Sequence, residues 1–256
     1  MRQILALLAM VAFSMPFAWS AEKSKAVSRA QAHTQLGGAY LGAGKLGVAL
    51  DELKIALDAD SSYAPAHNVI GLVYMELGEN AKAEDHFQRS LSIDPLNSEA
   101  QNNYGWFLCQ RSRYDDAVGY FLKAVKNPLY ETPDKAYLNA GLCSLKNGND
   151  KLAEEYFLKA SKYQKAPPQA FLGLAEVYYL RGLYIDALYY LERFSKISES
   201  TVESLWLGVK IAHRSGNRDS EANYGLQLRK RFADSREAFA LRNGEFDYVS
   251  GSGARP

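Results

Sequence analysis

The sequence predicts an all-α fold: a right-handed α-solenoid of about six helix–turn–helix repeats. Three observations carry that reading. Glycine or serine recurs at Gly44, Gly78, Ser112, Gly148, Gly182 and Gly216, at intervals of 34, 34, 36, 34 and 34 residues. Around each of the first five points a small residue stands seven places before, an alanine five after and a bulky residue nine after. Aromatic residues make up 12% of the chain, with 17 tyrosines, and many fall in the same slots of successive repeats.

Each repeat justifies itself in turn. The first, residues 30–63, keeps Gly37, Tyr40, Gly44, Ala49, Leu53 and Ala56; the second, 64–97, keeps Gly71, Tyr74, Gly78, Ala83, Phe87 and Pro95. The third, 98–133, has Gly105, Ala117, Phe121 and Ala124, and the fourth, 134–167, has Gly141, Gly148, Ala153, Phe157 and Ala160. The fifth, 168–201, has Ala175, Tyr178, Gly182, Ala187 and Leu191. A small residue on the first helix opposite an alanine on the second lets the two axes approach, and aromatics fill the seam around that contact. Asp94-Pro95 ends a second helix, because proline cannot continue one. Pro128 and Pro133 mark a longer loop where the interval widens to 36 residues. In residues 202–235 Glu221 replaces the expected alanine, with Ala222 one place late. Trp206 and Gly216 remain, and the second helix ends near Phe232; this degenerate unit reads as a capping repeat.

The ends read differently. Arg2 precedes an apolar run, Ile4 to Phe13, too short to cross a bilayer but right for the centre of a signal peptide, broken by Pro16. Residues 1–20 are therefore expected to be a signal peptide cleaved near Ser20, 21–29 a linker, and 236–256 a partly disordered tail ending in a Gly/Ser-rich stretch. That places the chain in a periplasm, where disulfides persist.

Lys and Arg total 30 against 29 Asp and Glu, so the basic excess of a nucleic-acid binder is absent and no nucleic-acid partner is expected. Four His and two Cys, scattered, predict no metal site and no cofactor. No nucleophile elbow, P-loop or H-E-x-x-H spacing is present, so neither catalysis nor a small-molecule substrate is expected. His33 and His67 read as core packing, His86 lies beside Phe87, and His213 stands alone in the cap. Asp115 and Asp116 suit a helix start, and Arg229-Lys230-Arg231 a solvated helix end.

The period and grammar resemble the tetratricopeptide repeat. Within it, NNYGWFLC at 102–109, RYDDA at 113–117, the Asn127-Pro128 and Tyr130 pattern, NAGLC at 139–143 and SLWLG at 204–208 are more particular. They are similar to the type IV pilus biogenesis/stability protein family, the pilotins of the pilus secretin. That resemblance implies a protein-interaction module that assists outer-membrane localisation and multimerisation of the secretin, and so twitching motility. The alternative is a periplasmic adaptor for another envelope process, such as scaffolding cell-wall hydrolases. Members of the pilotin family commonly carry a lipobox cysteine, whereas the cysteines here are Cys109 and Cys143. Membrane association is accordingly expected only through a partner, unless a lipidated form exists.

Helical periodicity places one face of the first helices along the groove of the solenoid. It carries Asn68, Leu72, Met75, Asn102, Trp106, Leu142, Tyr179 and Trp206, with Leu138, Leu145 and Lys210 beside them. This apolar surface set with amides suits a peptide, and Asn102 and Trp106 are expected to matter most. Cys109 and Cys143 lie on the first helices of adjacent repeats. Their positions point about 160° apart on parallel neighbours, so the side chains face across the seam and a disulfide is expected.

Overall fold

The computed structural model describes the backbone of residues 2–248 and the side chains of residues 22–248. Among the described residues there are thirteen helices and no strand, and helices pack in sequential pairs. The chain divides into two compact units, Met1–Tyr130 and Glu131–Pro256.

The first unit holds three pairs: α1 (Arg2–Gly42) with α2 (Leu46–Ala59), α3 (Ala64–Glu76) with α4 (Asn80–Ile93), and α5 (Ser98–Gln110) with α6 (Tyr114–Ala124). The second holds α7 (Pro133–Lys146) with α8 (Asp150–Ala160), α9 (Pro168–Leu180) with α10 (Tyr184–Ser195), and α11 (Val202–Ser215) with α12 (Arg218–Arg231). A final short helix, α13 (Arg236–Asn243), packs on α12.

Close approach explains why these residues pair. Ala49, Ala83, Ala117, Ala153 and Ala187 are fully buried on the second helices. Opposite them, a Cβ on Gly71 would lie 2.8 Å from the Phe87 ring, and one on Gly105 would lie 2.8 Å from Phe121. In the second unit Phe157 is wedged between two first helices: a Cβ on Gly141 or on Gly173 would come within 2.5 Å of its ring. The glycines make room for the largest side chains of the core, and burying each such ring is worth about 1.5–3 kcal/mol relative to exposure.

The turns share one geometry. Gly44, Gly78, Gly148, Gly182 and Gly216 are left-handed, with φ between 71° and 75°, and Ser112 adopts φ 60° in the same place. The next residue's N–H then returns to a carbonyl five back, as in Glu79 to Tyr74, Arg113 to Leu108 and Leu183 to Tyr178. This closes the helix end in the Schellman manner. Successive repeats are also clamped by polar groups. Glu84 on α4 accepts from the Tyr104 hydroxyl (2.9 Å) and from Arg113 (2.6 Å). Glu154 on α8 likewise accepts from the Tyr178 hydroxyl (2.5 Å) and from Arg181 (2.6 Å). The Tyr178 hydrogen bond, with Arg181 beside it, holds the Glu154 carboxyl below its ordinary range.

Two expectations about the ends need correction. Helix α1 runs through Pro16, although an interior proline loses one N–H and crowds the carbonyl four residues back. The expected signal peptide, residues 1–20, lies outside the residues with described side chains. The segment after residue 235 is not simply a tail. Ser235 caps α13 by accepting from the Ala238 N–H at 3.1 Å, and Ala238 and Ala240 are buried with Trp206 and Leu228. The apolar residues of α13 form one short run, Ala238 to Leu241, between charged residues, too brief for composition alone to mark a helix. The Gly/Ser-rich stretch from 249 lies outside the described residues.

Candidate partner-binding face

Gly71, Gly105, Gly141 and Gly208 point each first helix at its own second helix. Positions three before, one after and four after Gly71, Gly105 and Gly141 lie about 40–100° to one side of that contact, which defines the groove face. In the first unit this face begins with an amide ladder. The Asn103 side-chain amide donates to Asn68 Oδ1 at 3.3 Å, and that of Asn102 donates to Asn103 Oδ1 at 3.5 Å. Asn68 and Asn102 are buried, so the expected prominence of Asn102 as a contact on this face is corrected: it presents little surface to a partner. Leu72, Met75 and Trp106, one and two turns further along, are half-buried and reach the surface.

In the second unit the same positions carry Leu138, Leu142 and Leu145, partly buried against the core of α8 and α9. Next to them stand Glu176, Tyr179 and Lys210. The Lys210 ammonium lies 5.1 Å from the Tyr179 ring centroid, a cation–π arrangement. Desolvation lowers the Lys210 pKa and raises that of Glu176, each partly offset by attraction to the other. Glu176 is an exposed residue, yet the side chains crowded about its carboxylate raise its pKa.

Trp206 does not line an open surface. It is 1% exposed, and its indole N–H donates to the Tyr248 carbonyl at 3.0 Å. His213 is not alone either: it stacks on Phe246 at 3.7 Å between centroids and contacts Glu221 at 3.3 Å. Residues 245–248 return onto α11 and contribute to both corrections, beside α12 and α13.

The remaining histidines form contacts that the sequence pattern did not announce. His33 is half-buried and meets Glu52 at 2.6 Å; His67 is buried and its Nδ1 lies 3.0 Å from His86 Nδ1. The two pairs share a spacing of 19 residues and a repeat position, which was the available signal. Burial, and then the neighbouring His67, push the His86 pKa down. Among the described residues no group of three or more His, Cys, Asp or Glu could hold a metal ion. No helix of the described residues is long and apolar enough to cross a membrane. Neither Cys109 nor Cys143 is a free thiol.

Comparison with known proteins matches this architecture. A tetratricopeptide repeat model matches residues 34–98, 68–134 and 110–167. The type IV pilus assembly protein PilF of Pseudomonas aeruginosa is 33% identical over 206 residues, covering 80% of this chain and 82% of that protein. Its solved structure superposes with a TM-score of 0.76 at 31% identity, covering 87% of this chain and 99% of that one. The crystal structure of PilW, described as a widely conserved type IV pilus biogenesis factor, gives a TM-score of 0.78 at 36% identity, covering 83% and 98%. With repeats, fold and near full-length similarity in agreement, the chain belongs to the PilF/PilW family of type IV pilus assembly proteins, within the tetratricopeptide-repeat superfamily.

Proposed function

We propose that this chain is a non-catalytic periplasmic pilotin that binds the pilus secretin and assists its outer-membrane localisation and multimerisation. The observation that carries the reading is the groove face. Trp106, Leu72 and Met75 stand beside an amide ladder in one unit, and Tyr179 with a desolvated Lys210 and Glu176 in the other. Aromatic and aliphatic anchors beside hydrogen-bonding groups are what a peptide segment of a partner needs, whereas a reaction would need a nucleophile–base or metal arrangement. An N-terminal signal segment, read from the sequence, delivers the chain to that compartment. Cys109 and Cys143, the two cysteines of the chain, pair there as a disulfide.

The test uses the whole chain with Leu72→Ala, Trp106→Ala and Tyr179→Ala combined, leaving buried Asn102 intact. Wild type is expected to recover the secretin from periplasmic and outer-membrane extracts, and the folded triple variant to lose at least tenfold of that recovery. Undiminished capture by the triple variant would exclude the groove. Normal piliation and secretin multimers in a deletion strain would exclude the function.

A further inference from the structure

The segment after α13 returns to the groove face of α11 and occupies it. Gly244 turns the chain with φ 72°, and residues 245–248 then contact α11 through three kinds of interaction. The Phe246 ring lies parallel to the Trp206 indole, 6.5 Å between centroids, and stacks on the His213 imidazole at 3.7 Å. The Trp206 indole N–H donates to the Tyr248 backbone carbonyl at 3.0 Å. Arg214 donates to the Asp247 carboxylate at 2.5 Å.

This is the bonding pattern of a bound peptide rather than of a packed helix: stacked rings, one main-chain hydrogen bond and one ion pair. Trp206 and His213 occupy the repeat positions that carry Leu138 and Leu145 on α7, and Leu172 and Tyr179 on α9. On the neighbouring repeats that face is half-buried and reaches solvent. The hold is also light. The Asp247 side chain is 86% exposed, so its ion pair with Arg214 is screened by water and holds the segment weakly.

We propose that residues 245–248 are a resident stand-in for a partner segment. The groove face of α11 accepts an extended segment in which an aromatic residue is followed by a carboxylate, and the strap must leave before such a segment enters. The ring would stack between Trp206 and His213, the carboxylate would meet Arg214, and the indole N–H would take a main-chain carbonyl. The inference does not depend on the secretin as partner; it concerns the chemistry that this end of the groove recognises.

The probe is a fluorescein-labelled peptide Gly-Glu-Phe-Asp-Tyr-Val, which copies residues 244–249, titrated by anisotropy against the full chain. Phe246→Ala, which releases the strap, is expected to bind it at least tenfold more tightly than wild type. Asp247→Arg changes an exposed position and is expected to do the same, so the test survives if Phe246→Ala fails to fold. A peptide with Lys in place of its Asp should lose that binding, as should Arg214→Asp combined with Phe246→Ala. Absence of saturable binding to a folded strap variant overturns the proposal. Equal binding by wild type and strap variants overturns it as well, because the site would then not be covered.

Discussion

A Cβ placed on Gly141 would sit 2.5 Å from two carbons of the Phe157 ring, closer than real Cβ contacts come. Phe157 is fully buried, so the ring has nowhere to retreat. Gly141→Ala is therefore expected to destabilise the chain by about 1–3 kcal/mol through overpacking, despite the roughly 1 kcal/mol helix advantage of alanine. Combining it with Phe157→Leu should cost less than the sum of the two changes, because the smaller side chain vacates the clash. Urea denaturation of the two single variants and the double variant measures this. Strict additivity would contradict the contact.

Ser112 occupies a left-handed position that glycine fills in the other five repeat turns. An L side chain there costs about 1 kcal/mol. Ser112→Gly is expected to stabilise by roughly that amount, reduced by the glycine's greater freedom when unfolded. The Tyr114 hydroxyl donates weakly to Ser112 Oγ at 3.3 Å, and its loss should matter little at an exposed site. A rise in melting temperature checks it; a fall would show that the serine hydroxyl outweighs the backbone.

The His67–His86 pair makes stability depend on pH. Folding lowers the His86 pKa, chiefly by desolvation and then by the adjacent His67. The unfolded histidine takes up a proton near about 6.5 while the folded one resists, so acid favours unfolding. The stabilising share is fully present above that value and is lost as pH falls through it toward the lower folded value. His86→Gln should flatten the decline in melting temperature between about pH 7.5 and about pH 5.5 relative to wild type. An identical decline would exclude the pair as its source.

With Cys109 and Cys143 neither being a free thiol, protein denatured without reductant should show no titratable thiol. Reduction is expected to lower stability by about 4 kcal/mol, the chain-entropy value for a loop of this size, less any strain. Two thiols per chain in material from an oxidising compartment would refute the pairing.

The repeat register was legible in the sequence because close helix approach demands small residues at fixed intervals, and those intervals survive reading without coordinates. The position of the turn at Ser112 was legible for the same reason, because five glycines stand in phase with it, whereas its left-handed backbone is seen in the structure. The fate of Trp206 was not. Its cover comes from Tyr248, 42 residues on and outside the 34-residue period, so periodicity pointed to an open face where the chain had folded back. Asn68 and Asn102 shared that face by angle, yet both are buried. An angle gives direction, not accessibility. The His67–His86 contact was half-visible, since His33 and Glu52 repeat its spacing, but residue type alone favoured packing over a polar bond.

Phe157 touches Gly141 of its own repeat and Gly173 of the following one. The other repeats place Gln35, Val69, Asn103, Asn139 and Leu207 where Gly173 stands. A recombination event that exchanged residues 168–201 for another segment of the same length would thus drive a larger side chain into the ring. Equal period does not make these modules interchangeable. The heritable unit here is the pair of adjoining repeats, and a crossover that keeps the protein foldable must leave Phe157 and Gly173 on the same parental side.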